Sequence, residues 1–180
     1  MMRLTESCPR TMPPANFTKH LPLSHILLDM DVSSKKRLFE QIGLLFENEN
    51  RIARATVFDA LFAREKLGST GLGHGVAIPH GRIKGLRDTL AVFIRTKDGV
   101  PFESPDGENV RLVFAMLVPE HANEHHLILL SELAEAFSDV DLRAALINES
   151  SNDLAHRILT NWSPFGAGTL NASTQRTAAI

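Results

Sequence analysis

Apolar residues return every three or four positions through the run SSKKRLFEQIGLLFENEN. Leu38, Ile42, Leu45 and Phe46 fall there on one helical face, behind a cap at Ser33 or Ser34. The run TVFDALFAREKLG repeats the pattern with Val57, Phe58, Leu61 and Phe62. Thr56 with Asp59 predicts a capping-box start for it, and Gly68 predicts the stop. The period then changes. VAIPH is a short strand-like run ended by Pro79, and TLAVFIRT alternates with Leu90, Val92 and Ile94 on one face. VRLVFAMLV is almost unbroken in apolar character, which predicts a central strand covered on both faces and ended by Pro119. Helical spacing returns in NEHHLILLSELAEAF, with Leu127, Leu130, Ala134 and Phe137 in phase. It continues in DLRAALI, started by Ser138 with Asp141. In DLAHRILTNW, Ser150 and Asp153 suggest a cap and Leu154, Ile158 and Trp162 share a face. Two helices, then strands, then helices predict an α/β fold: a single-domain mixed β-sheet flanked by helices. Local pattern does not encode the strand pairing.

The ends lack such periods. Residues 1–20, broken by Pro9, Pro13 and Pro14, predict a flexible leader, and the small polar residues 163–180 a flexible tail, leaving 21–162 as one domain. At 180 residues, 43% of them apolar and 22% charged, the chain is long enough to bury one core and is not of disordered composition. A net charge of −2 gives no general electrostatic attraction to nucleic acid or an anionic membrane, so partners are expected to be proteins or small molecules. Cys8 is the single cysteine and cannot form an internal disulfide. The leader has no apolar core of a signal peptide, and no window reaches membrane-span length. The expected address is cytoplasmic.

Candidate chemistry concentrates in GSTGLGHGVAIPHGRIKG, residues 68 to 85. Its glycines permit sharp turns or close backbone approach. A nucleotide P-loop is excluded because the terminal Gly-Lys-Ser/Thr is missing. A dinucleotide fingerprint is excluded because a helix precedes and a strand follows, and Val76 stands at the third glycine position. His80 stands directly after Pro79, which stiffens the backbone beneath it. A neutral imidazole is nucleophilic near pH 7, and the hydrogen bond at one nitrogen decides which other nitrogen is free to react. Residue chemistry alone leaves open a strand-end histidine that merely caps a carbonyl, since the chain has eight histidines. Arg64 is equally readable as a solvated helix residue, and His126 as a surface histidine. His121 and His125, with His126 beside them, invite a metal reading, as do His74 and His80, yet no HExxH or CxxC is present.

The eighteen-residue run REKLGSTGLGHGVAIPHG, from Arg64 to Gly81, resembles the active-site signature of fructose/mannitol-type IIA domains of the phosphoenolpyruvate-dependent phosphotransferase system. The likeness is greatest to the nitrogen-regulatory branch, and flanking runs extend it across residues 25 to 162. The resemblance implies that His80 accepts a phosphoryl group on Nε2, with Nδ1 held by a nearby backbone carbonyl. It places the second active-site histidine at His126 and the active-site arginine at Arg64. Ser69 and Thr70 become possible phosphate contacts. No metal and no cofactor are implied. The expected donor is a histidine-type phosphocarrier protein, and the expected readers are regulatory protein targets, with no nucleic acid partner and no independent small-molecule turnover. With no fused membrane or IIB domain in the chain, regulation is expected rather than sugar import. Leu67, Leu72 and Val76 are expected to rim the partner surface. The alternatives are a binding module of the same fold that is never phosphorylated and, further off, a metal-dependent hydrolase.

Overall fold

A computed structural model describes residues 15–121 and 124–163. Six strands are β1 Ile26–Met30, β2 Gly71–Gly73, β3 Val76–Ala77, β4 His80–Ile83, β5 Leu90–Val100 and β6 Val110–Pro119. Five helices are α1 Lys35–Asn50, α2 Arg54–Lys66, α3 Glu124–Ser138, α4 Val140–Asn148 and α5 Asn152–Asn161. The strands form one mixed sheet in the order β1-β5-β6-β3-β2, with β4 also paired to β6. β5 and β6 are antiparallel, whereas β1 on β5, and β3 and β4 on β6, are parallel.

Both faces of this sheet are buried, as the apolar run of β6 predicts. Leu112, Phe114, Met116 and Val118 face one core, which is completed by α3, α4 and α5. Val113, Ala115 and Leu117 face the other, against Leu38, Phe39, Ile42 and Phe46 of α1 and Val57 and Leu61 of α2. Strand residues alternate between faces, so one strand supplies two cores. Leu90, Val92 and Ile94 share the second face as expected.

Several helix starts move. Ser34 caps α1, accepting from the Arg37 amide at 3.2 Å. α2 begins at Arg54 and not at Thr56, behind Ala53, which supplies no side-chain cap. The Glu47 carboxylate instead accepts from the Arg54 amide at 3.3 Å, so the preceding helix fills the capping role. Asp139 caps α4, accepting from Asp141 and Leu142 amides, while the Ser138 hydroxyl turns back to the Ala134 carbonyl at 2.7 Å. Ser151, one residue past Ser150, caps α5.

The buried faces of α3 and α5 also differ from expectation. α3 buries His126, Leu129, Leu133, Ala136 and Phe137, leaving Leu127 exposed. α5 buries Ala155 and Leu159, with Ile158 and Trp162 packed beside them and Leu154 exposed. Within the expected leader, a 3-10 turn at Asn16–His20 inserts Phe17 fully into the first core, edge-on to Phe114. Residues 1–14 and 164–180 of the expected leader and tail lie outside the described residues.

Candidate functional site

The last turn of α2 carries two charged neighbours that point to different tasks. Glu65 is in phase with Val57 and Leu61 and is buried with them. Its carboxylate accepts from the Lys35 ammonium at 2.8 Å, from the Thr70 hydroxyl at 2.6 Å and from the Thr70 amide at 3.2 Å. A buried carboxylate needs this much compensation to remain ionised. Arg64 turns the other way. Its Nη1 donates to the Gly68 carbonyl at 2.9 Å and its Nε donates to His80 Nε2 at 3.2 Å. The loop leaving α2 is thus gripped by both side chains.

His80 opens β4, alongside Met116 of β6. Pro79 interrupts what would otherwise be one strand along the edge of β6, because it lacks an N–H to continue the ladder. Gly81 explains how this strand lies so close to α2. A Cβ there would meet the Ala60 carbonyl carbon at 2.8 Å, so the glycine serves close approach and not positive φ. The His80 ring is held at both nitrogens. Nδ1 lies 2.9 Å from the Ile78 carbonyl, which can only accept, and Nε2 faces the Arg64 N–H, which can only donate. These neighbours select the neutral tautomer with the proton on Nδ1 and the lone pair on Nε2. Burial lowers the His80 pKa from its usual 6.5, with the Arg64 and His126 charges adding to the effect against the opposing Ile78 bond and Glu65 charge.

His126, in the first turn of α3, is buried, and its Nδ1 has no hydrogen-bond partner among the described residues. It lies at the positive end of that helix. The structure therefore puts Arg64 in contact with His80, with His126 near enough for its charge to act on the ring. The hydroxyls of Ser69 and Thr70 already have partners within the protein. The Thr70 hydroxyl and amide are both taken by Glu65, and the Ser69 hydroxyl donates to the Phe102 carbonyl. Val76 is buried in the first core and cannot rim a docking surface, whereas Leu67 and Leu72 are exposed. Leu127, which the helical period had placed on the buried stripe, and Ile128 add two exposed apolar side chains next to His126 in sequence.

His74 stands apart from His80. It sits between Gly73 and Gly75 in a turn where all three have positive φ, and its amide donates to Asp106 at 2.7 Å. That amide, with the Glu108 amide, holds the Asp106 carboxyl below the usual carboxylate range. His125 is exposed, and so is His121, beside Glu120. Glu65 and Lys35 were not legible as site residues. The one local signal was a carboxylate placed in phase with an apolar stripe.

A mixed sheet buried on both faces that presents an arginine-held histidine at a strand opening fits a phosphotransferase IIA domain, and comparison with known families shows that the chain belongs to that family. The model of the phosphoenolpyruvate-dependent sugar phosphotransferase system, EIIA 2, matches residues 19–162. The protein is accordingly a phosphoryl-transfer component of that class.

Within it, the similarity runs to nitrogen regulatory proteins. The one from Pseudomonas aeruginosa is 38% identical over 136 residues, covering 75% of this chain and 88% of the relative. That of Escherichia coli K12 is 37% identical over 131 residues, covering 71% and 79%. Among solved structures, nitrogen regulatory protein IIA-Ntr from Neisseria meningitidis superposes with a TM-score of 0.76 at 55% identity, covering 80% of this chain and 99% of that one. IIA mannitol from Escherichia coli gives 0.66 at 26% identity, covering 77% and 97%.

Proposed function

We propose that the protein is a nitrogen-related IIA phosphoryl carrier that accepts phosphate on His80 Nε2 from a histidine-type phosphocarrier protein and signals its phosphorylation state to regulatory protein targets. One observation carries this reading: the His80 ring is fixed with its lone pair on Nε2, against a guanidinium that offers paired donors. In the transfer, the P–N bond of the incoming phosphohistidine breaks as the His80 Nε2–P bond forms, and the electron pair returns to the donor ring. The Nδ1 proton stays in place, and the Ile78 carbonyl stabilises the positive charge that the ring acquires. Arg64 turns from the ring nitrogen to the phosphoryl oxygens, and His126 offers them a further donor. Charge spread over three oxygens is stabilised mainly by such fixed donors and by alignment. Neither metal nor cofactor takes part in this scheme. The nitrogen assignment rests on the relatives' names, and the cytoplasm is where such a carrier would meet its donor. No helix among the described residues is long and apolar enough to cross a membrane.

Phosphoenolpyruvate with the upstream carrier proteins is expected to give stoichiometric, acid-labile label on the wild type and none on His80→Ala. Equal labelling of His80→Ala would refute the site. Partner binding by a wild type that never takes label would favour a contact-only module.

A further inference from the structure

We infer that Glu65 is a positioning residue that orients the His80 ring through an unbroken hydrogen-bond relay. The relay begins at half-buried Lys35, at the start of α1, and ends at the imidazole. The Lys35 ammonium donates to Glu65 at 2.8 Å, and also to the Phe102 carbonyl at 3.1 Å, which anchors it at a second point. Glu65 takes both the hydroxyl and the amide of Thr70. The Thr70 carbonyl accepts from the Ile78 amide at 3.0 Å. The Ile78 carbonyl then accepts from His80 Nδ1 at 2.9 Å. Glu65 does not touch the reacting nitrogen. It fixes Thr70, which holds Ile78, whose carbonyl holds the ring.

The arrangement requires the carboxylate. The Thr70 hydroxyl and amide both converge on it, while the ammonium of Lys35 compensates its charge in a site where the Glu65 side chain is 5% exposed. Arg64, the preceding residue, holds the other ring nitrogen and the other end of the same loop. One helical turn therefore governs both nitrogens, Arg64 directly and Glu65 through Thr70 and Ile78. This inference rests on His80 being the phosphoryl acceptor, because orientation has a kinetic consequence only there.

The test uses the full chain with Glu65→Gln, Thr70→Val and Thr70→Ser, and two readouts. Solvent exchange of the Ile78 amide and the His80 Nδ1 proton is followed by NMR without any phosphoryl donor. The labelling rate from phosphoenolpyruvate with the upstream proteins is measured separately. Thr70→Val is expected to speed both exchanges about tenfold and slow labelling about tenfold, while amides in β5 and β6 keep their protection. Thr70→Ser, which keeps the hydroxyl, is expected to restore both. Glu65→Gln should follow Thr70→Val, and if it fails to fold the Thr70 pair decides alone. Unchanged exchange in folded Thr70→Val, or faster exchange with an unchanged labelling rate, overturns the inference. A wild type that takes no label refutes the acceptor reading and removes the kinetic role. The exchange data would then still decide whether the relay exists.

Discussion

At the residue scale the two nitrogens of His80 make opposite demands, and the structure meets each with a group of fixed polarity. A carbonyl can only accept and a guanidinium can only donate, so the tautomer follows from placement. Burial adds a pH consequence. The folded pKa of His80 lies below 6.5, so the unfolded chain binds the proton more readily between the two values. Stability is then complete above the unfolded value and declines as pH falls through that window. His80→Gln should lose less stability than the wild type on acidification through it, as judged by denaturant titration at several pH values. His20, whose pKa burial also lowers, should leave a residual slope in both proteins. Gly81 makes a second residue-scale prediction. Ala60 backbone lies 2.8 Å from where a Cβ would stand, and backbone yields little, so Gly81→Ala should cost about 1–3 kcal/mol in chemical denaturation.

At the element scale, interactions between elements decide where helices begin and end. Arg95 of β5 shows this best. It is buried within an apolar strand and donates to the carbonyls of Leu146, Ile147 and Glu149, closing the C-terminus of α4. Its guanidinium also pairs with Asp29 at 2.8 Å, tying that closure to the end of β1. Arg95→Met fits the volume but leaves those carbonyls without donors. A loss of about 2–3 kcal/mol is expected in thermal or denaturant unfolding, with labelling of His80 retained at low temperature. In α3, nearly every position of HLILL is apolar, so two stripes fit the same period. The structure selects the one containing His126, because that stripe faces the sheet and leaves Leu127 and Ile128 to solvent.

At the scale of the whole molecule, the loop after α2 and the start of α3 deliver exposed apolar side chains from two distant stretches of sequence. Leu67 is 85% exposed, Leu127 60% and Leu72 40%, beside segments that carry Arg64, His126 and the glycine turn. A carrier protein must bring its own histidine within bonding distance of His80, so its surface would cover these residues. Leu72→Asp is expected to slow labelling about tenfold while leaving the unfolding midpoint near that of the wild type, since an exposed apolar contact acts on association and not on the core. An unchanged labelling rate would remove Leu72 from the docking face.

Sequence alone determined the α/β class, the burial of β6 on both faces and the helical identity of five segments, because periods of 3.6 and 2 residues are local properties. It also pointed to His80, Arg64 and His126 through one contiguous run and its flanks. The resemblance implied a free Nε2, but tertiary structure alone decided which groups hold the two nitrogens of His80, the Ile78 carbonyl and the Arg64 guanidinium, for folding brings them there. The same holds for the Glu47 cap of α2, the inward turn of His126, and the closure of α4 by Arg95. The Lys35–Glu65–Thr70 relay belongs with these. Its parts are spread from the start of α1 to the loop after α2, and no local period joins a buried carboxylate to the ammonium that neutralises it.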